Sequence, residues 1–91
     1  MAMMTRQKAT EFTLSAPHAR KVILAGSFNN WNTSSLLAKK DSKGNWAVKV
    51  NLKPGRYEYK FLVDGSWIND PKCRGCISNN LGTQNCVVEV K

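Results

Sequence analysis

Residues 57–67 read YEYKFLVDGSW and carry the clearest structural pattern in the chain. Large apolar residues occupy the odd positions from Tyr57 to Val63, whereas Glu58 and Lys60 occupy even positions. An alternation with period two is typical of a β-strand that buries one face. The Asp64-Gly65 pair that follows is a strong signal for a two-residue hairpin turn. The stretch therefore predicts two antiparallel strands joined by a tight turn.

A two-residue turn also fixes which residues of this hairpin face one another. It pairs Leu62 with Trp67, and the next pair outwards is Phe61 with Ile68. Directly paired residues share a face of the sheet, so Ile68 is predicted on the core face with Phe61. Trp67 is predicted on the outer face, beside Leu62 and near Lys60. A three-residue loop would reverse this register but would expose Ile68.

Short strand patterns recur along the rest of the chain, and helix signals are nearly absent. Strands are predicted at residues 11–14, 21–25, 46–52, 57–63 and 84–91, with a further short one at 36–40. A long irregular stretch is predicted at residues 69–83. Six or seven short strands in a chain of this size predict an all-β fold, an immunoglobulin-like antiparallel β-sandwich. We expect a flexible N-terminal segment at residues 1–10 and one domain at residues 11–91.

The composition is that of one small globular domain. The chain has 91 residues, of which 42% are hydrophobic and 22% are charged, values that are ordinary for a folded domain. No apolar run approaches the roughly 20 residues that span a bilayer, and the first residues lack the apolar stretch of a secretory signal. We therefore expect a cytoplasmic protein that does not associate with membranes.

The net charge of +8 raises the question of an anionic partner such as nucleic acid. The lysines and arginines are scattered along the chain, and no predicted helix gathers them into a stripe. A solvated, soluble surface accounts for such a distribution. Nucleic acid is therefore disfavoured as a partner.

Three cysteines, Cys73, Cys76 and Cys86, invite a zinc or redox interpretation. An odd count with no signal peptide indicates a reducing compartment. Zinc usually has about four ligands, and His18 is the only histidine. A thioredoxin-like pair would have to begin a helix, and none is predicted. We predict ordinary loop thiols, with no metal and no cofactor.

The three tryptophans fall in different settings. Trp46 is in phase with the apolar positions of its strand and is predicted in the core. Trp31 lies in an asparagine-rich loop, where it is either pinned over the sheet edge or exposed for binding. The alternation of the last strand leaves Asn85 outward, and Glu58 is expected outward near Lys60 as a simple ion pair.

An outward set of indole, amide and ammonium groups has a chemical meaning. Indole faces cover the C–H patches of sugar rings, and the polar groups satisfy sugar hydroxyls. The same set would also stack nucleic-acid bases. The alternative is that both outer tryptophans only cover the edge of the sandwich. The residue pattern alone favours binding and leaves sugar and nucleic acid open.

Four blocks of the sequence resemble a known family. They are VILAGSFNNW at residues 22–31, YEYKFLVDGSW at 57–67, NDP at 69–71 and NLGTQN at 80–85. Together they closely resemble the glycogen-binding domain of the AMP-activated protein kinase β subunit, and related modules precede the catalytic domains of isoamylases and glycogen branching enzymes. The resemblance covers about residues 12–91. The stretch 72–76, KCRGC, departs from the pattern and lies on the approach to Leu81.

The resemblance implies an early-set immunoglobulin-like sandwich that binds α-1,4-linked glucose chains. It implies that Trp31 and Trp67 clasp the glucan and that Lys60 hydrogen-bonds sugar hydroxyls. The remaining carbohydrate-binding residues that it implies are Leu81 and Thr83, in a loop against the ligand, and Asn85, through its amide.

The function expected is that of a non-catalytic α-glucan-binding module for glycogen, starch or maltooligosaccharides. The sequence contains no Ser–His–Asp set, phosphate loop or metal constellation, so no enzymatic activity is expected. Asp64 and Asp70 are explained by turn chemistry. The alternative is a protein-interaction or targeting module that docks a kinase or a glucan-processing enzyme such as a glycosidase.

Overall fold

The computed structural model describes residues 8–73, 75–78 and 84–91. Part of the predicted flexible segment, residues 1–7, lies outside them. The strands are β1 (Lys8–Ser15), β2 (Val22–Gly26), β3 (Lys39–Lys40), β4 (Asn45–Leu52), β5 (Gly55–Val63), β6 (Ser66–Ile68), β7 (Gly75–Ser78) and β8 (Gln84–Val90), with a short 3-10 turn at Ser27–Asn29. Strand β1 begins three residues before the predicted domain boundary at Glu11.

These strands form two antiparallel sheets. The smaller sheet has the order β1-β4-β3, and the larger has the order β2-β5-β8-β7, with β6 pairing to β5. The described residues contain no α-helix, and none of their elements is a helix long and apolar enough to cross a bilayer. The predicted all-β antiparallel sandwich is confirmed.

The core lies between the two sheets and draws on both. Phe12 of β1 packs edge-on against Tyr59 of β5, with ring centroids 4.9 Å apart. Phe61 and Leu24 of the larger sheet have no exposed surface. Trp46 is buried as predicted, and its indole N–H donates to the carbonyl of Ala16 at 2.9 Å, so its one polar atom is satisfied inside the domain.

The β5–β6 hairpin has the predicted register, with Leu62 opposite Trp67 and Phe61 opposite Ile68. Asp64 and Gly65 both have positive φ, 47° and 86°, as a two-residue turn of type I′ requires. One expectation was wrong: Ile68 is 40% exposed. Strand β6 has three residues, all exposed, and pairs only with β5, so the core does not extend beneath it.

The predicted irregular stretch 69–83 contains a strand that the sequence pattern did not reveal. Strand β7 pairs with β8, and Cys76 lies opposite Cys86. All four residues of β7 are exposed, so it carries no buried alternation from which to recognise it. The short strand predicted at 36–40 is reduced to β3, preceded by a single bridge from Leu37 to Ile23.

Candidate functional site

The two tryptophans outside the core meet at one end of the larger sheet. The ring centroids of Trp31 and Trp67 are 6.4 Å apart, and the ring planes are inclined by 75°. Trp67 is 48% exposed, whereas Trp31 is half-buried. The contact has the edge-to-face geometry that aromatic pairs prefer. The two indoles therefore form a corner that opens to solvent.

Trp31 reaches this corner through an unusual backbone. Asn30 and Trp31 both have left-handed φ, 55° and 57°. Asparagine tolerates this region, but a bulky side chain there is uncommon, and such residues cost about 1–3 kcal/mol each. The Trp31 amide donates to the carbonyl of Gly26 at 2.9 Å. Strain of this kind persists only where surrounding contacts impose it.

Asn29 supplies those contacts from the last residue of the 3-10 turn. Its side-chain oxygen accepts a hydrogen bond from the amide of Gly26 at 3.0 Å. Its side-chain nitrogen donates to the carbonyl of Asn32 and to the hydroxyl of Ser35, each at 3.1 Å. The asparagine-rich composition of the loop is thus explained by hydrogen bonds that close the loop around Trp31.

Gly26 is required at the start of this loop for lack of space. A Cβ atom at this position would collide with the carbonyl oxygen of Glu58 and would lie 2.7 Å from the ring of Phe28. Phe28 in turn packs against Phe12 and Tyr57, with centroids 5.7 and 6.0 Å apart. The aromatic core therefore fixes the position of the loop that carries Trp31.

Trp67 is positioned by the turn before it. The carboxylate of Asp64 accepts hydrogen bonds from the backbone amides of Arg20 and Lys21, the shortest at 3.0 and 2.8 Å. The Asp64 amide donates to the carbonyl of Lys21 at 3.0 Å. Asp64 therefore does more than form a turn, because it ties the β5–β6 hairpin to the segment before β2.

Lys60 and Asn85 lie on the same outer face as Trp67. The last recorded β5–β8 pair is Tyr59 with Cys86, and Lys60 and Asn85 are one step further along their strands. Asn85 is nevertheless 8% exposed, and its side-chain nitrogen donates to a carboxylate oxygen of Glu58 at 3.0 Å. That hydrogen bond orients the Asn85 amide. Sequence reasoning did not predict it, although alternation placed Glu58 on this face.

The other two predicted binding residues, Leu81 and Thr83, lie outside the described residues. Of the six predicted positions, the structure thus brings Trp31 and Trp67 into contact and puts Lys60 and Asn85 on the adjoining face. The positioning residues Gly26, Asn29 and Asp64 were not predicted as part of the site. A glycine or asparagine in a loop signals a turn, but not what the turn supports.

One buried polar pair lies beneath the sheet rather than at the corner. The hydroxyl of Tyr59 donates to the carboxylate of Asp70 at 2.8 Å, and the amide of Lys72 donates to the other oxygen of Asp70 at 2.9 Å. Burial, followed by this hydrogen bond, raises the pKa of Tyr59 far above its ordinary range. The phenol therefore stays a neutral donor that fixes the turn before β7.

A β-sandwich that presents an aromatic corner beside amide and ammonium groups has the character of a non-catalytic carbohydrate-binding module. The family described as the glycogen recognition site of AMP-activated protein kinase matches residues 9–91. The match spans nearly the whole chain, and the chain belongs to this family.

Several curated proteins are similar to the chain over 72 residues, which are 79% of its length. FLOURY ENDOSPERM 6, chloroplastic, from Oryza sativa subsp. japonica is 44% identical over 13% of its own length. The β-1 subunit of 5'-AMP-activated protein kinase from Sus scrofa is 42% identical over 56% of its length. The human β-2 subunit is 39% identical over 25% of its length. The chain thus spans about half or less of these relatives.

Proposed function

We propose that this domain binds α-1,4-linked glucose chains of glycogen or starch in the corner between Trp31 and Trp67. The observation that carries the proposal is the contact of these two rings, whose centroids lie 6.4 Å apart and whose planes are inclined by 75°. The loop that presents Trp31 has a strained, left-handed backbone. Two tryptophans that only covered the sheet edge would need neither the strain nor the 48% exposure of Trp67.

The angle between the rings argues for a curved ligand. A flat, extended polysaccharide would stack best on coplanar rings. Two faces inclined by 75° instead suit a chain whose successive sugars turn, as α-1,4-linked glucose units do. Each indole can cover the C–H patch of a different sugar ring, and base–aromatic stacking suggests about 1–3 kcal/mol for each.

The polar part of the proposed site is Lys60 and Asn85, with Leu81 and Thr83 as further contacts. Lys60 offers ammonium donors to sugar hydroxyls, and the amide oxygen of Asn85 offers an acceptor while its nitrogen bonds to Glu58. The bond to Glu58 holds the Asn85 side chain in place before the sugar binds, so little entropy is lost in ordering this side chain on binding.

Calorimetric titration with maltoheptaose or β-cyclodextrin tests the proposal, with Trp67→Ala as the variant. Loss of one stacking contact should weaken binding by about five- to 150-fold, while the fold survives because Trp67 is exposed. Ile68→Ala is the matched control, since it removes a similarly exposed apolar side chain from the neighbouring position on the other face of β6. A folded parent that gives no heat and is not retained on glycogen would refute glucan binding.

Binding measurements on the same parent and variant proteins distinguish two rival functions from glucan binding. The sugar is neutral, so binding should be nearly indifferent to salt, whereas binding of nucleic acid would fall steeply as salt rises. A docking module for a kinase or a glucan-processing enzyme would keep its protein partner when Trp31 and Trp67 are both replaced by alanine. The kinase-subunit relatives make such a partner the second candidate function.

The cytoplasmic location is part of the same proposal. The relatives include kinase subunits and a rice protein that is described as chloroplastic. Fractionation of cells that express the full-length protein would decide between the two compartments.

A further inference from the structure

We propose that Cys73, Cys76 and Cys86 form a binding site for Zn²⁺ or a similar thiophilic divalent cation. The three residues come from the segment before β7, from β7 itself and from β8, and their sulfur atoms all lie within 4.8 Å of one another. The sequence argument against zinc was that zinc usually has about four ligands and that His18 is the only histidine. Three sulfurs with water as the fourth ligand meet that requirement without His18, and strand β7 brings them together because it places Cys76 directly opposite Cys86.

The sulfur positions suit a metal better than a disulfide. Two sulfurs bound tetrahedrally at a Zn–S distance of 2.3 Å lie about 3.8 Å apart. The sulfurs of Cys73 and Cys76 are 3.6 Å apart, which already matches that spacing. A disulfide would need them to approach to about 2.05 Å and would need a two-electron oxidant. Three thiolates are also a ligand set that zinc and its soft neighbours prefer.

The surroundings supply the support that metal-bound thiolates use. The backbone amide of Asp70 donates to the sulfur of Cys86 at 3.2 Å, a hydrogen bond that orients a ligand from outside the first coordination sphere. The charged residues that line a pocket beside Cys73 are three cations, Arg56, Lys72 and Lys91, and one anion, Glu89. Three thiolates and one Zn²⁺ carry a net charge of −1, which the net positive charge of this lining would offset. Water would complete the fourth position.

Metal binding at this site would release protons. Burial, followed by hydrogen bonding with Cys73, raises the pKa of Cys86, and the hydrogen bond with Cys73 raises that of Cys76. Each coordinated sulfur exchanges its proton for the metal, and the protons leave to solvent without any change in oxidation state.

The site would serve to hold β7 on the sheet. All four residues of β7 are exposed, so apolar burial contributes little to its position. A metal bridge from Cys73 and Cys76 to the fully buried Cys86 would anchor this edge strand to β8. Because the bound state is favoured by mass action, saturating metal should raise the melting temperature.

The test uses untagged protein that is reduced, freed of reductant and metal under anaerobic conditions, and then offered Zn²⁺ or Co²⁺. We expect one bound zinc per chain by elemental analysis. We also expect thiolate-to-cobalt charge-transfer absorption with the d–d bands of a tetrahedral site. The melting temperature should rise by several degrees with zinc and fall again with EDTA. Cys73→Ser and Cys76→Ser should each abolish stoichiometric binding and the shift.

Two of the three cysteines can be replaced without disturbing the core. Cys73 and Cys76 are half-buried and exposed, so their serine variants should fold, unlike a change at Cys86 in the core. His18→Ala is the matched control, because it removes the sole histidine and should retain the metal. Substoichiometric binding by the parent with three titratable thiols would overturn the proposal. Full binding by both serine variants would also overturn it.

Discussion

Replacing Asn29 with alanine tests whether the loop before Trp31 is built to present that side chain. Asn29 makes three hydrogen bonds, one to the amide of Gly26 and two from its side-chain nitrogen to Asn32 and Ser35. The alanine side chain can make none of them. The left-handed backbone of Asn30 and Trp31 would then lose the contacts that impose it.

The magnitude follows from the number and setting of these bonds. A typical hydrogen bond contributes about 0.5–1.5 kcal/mol net. The bond to Gly26 is partly buried and the other two are exposed, so water replaces the latter at small loss. We expect a decrease of about 1–2 kcal/mol in the free energy of unfolding. If Trp31 also leaves the corner, glucan affinity should fall by at least about fivefold, the lower bound for one stacking contact.

Urea denaturation followed by tryptophan fluorescence measures the first quantity, and calorimetric titration with maltoheptaose measures the second. Asn29→Asp is the matched control. It keeps an acceptor for the amide of Gly26 but loses both donors and sets a carboxylate oxygen against the carbonyl of Asn32, so it should be less stable than the parent although the bond to Gly26 remains. An alanine variant whose free energy of unfolding lies within ~0.3 kcal/mol of the parent's, and which binds glucan equally well, would refute the argument that Asn29 presents Trp31.

Three further predictions concern the rest of the domain. Gly26→Ala should destabilise the domain by about 1–3 kcal/mol because its Cβ has no room, and an unchanged urea midpoint would contradict this. Hydrogen bonds from the amides of Asn45 and Lys43 lower the pKa of Asp41; the stability it contributes is therefore complete above pH about 4 and lost as pH falls through the lowered value. Asp41→Asn should flatten acid unfolding in that range, and a variant as acid-sensitive as the parent would exclude this. In the metal-free protein Cys86 should be the last of the thiols alkylated by iodoacetamide, since burial hides it and raises its pKa; peptide mapping that finds it modified first would disprove this.

The hairpin from Tyr57 to Ile68 shows how far local rules reach. Alternation, together with the two residues of the turn, predicted every pair of the β5–β6 register. The same rules placed Ile68 on the core face but could not tell that the core ends before β6. Register depends on neighbouring residues in one hairpin, whereas burial depends on what the opposite sheet covers.

The site divides in the same way. The outward positions of Trp67, Lys60 and Asn85 follow from strand periodicity. The contact between Trp31 and Trp67 does not, because 36 residues separate them and a left-handed loop brings them together. Nothing in the sequence around Asn29 and Gly26 indicates that they support the site. Their roles depend on the carbonyls, amides and rings that surround them after folding.

Local pattern was therefore sufficient for the all-β class, the hairpin register and the buried Trp46, and the resemblance of four sequence blocks indicated the family to which the chain belongs. Strand β7, the indole corner and the cluster of three cysteines required the folded chain. A strand with one buried face shows an alternating sequence because its successive side chains point in turn to the core and to solvent. An exposed edge strand is held by backbone hydrogen bonds, which any residues but proline can make, so β7 and the thiol cluster it creates leave no such record.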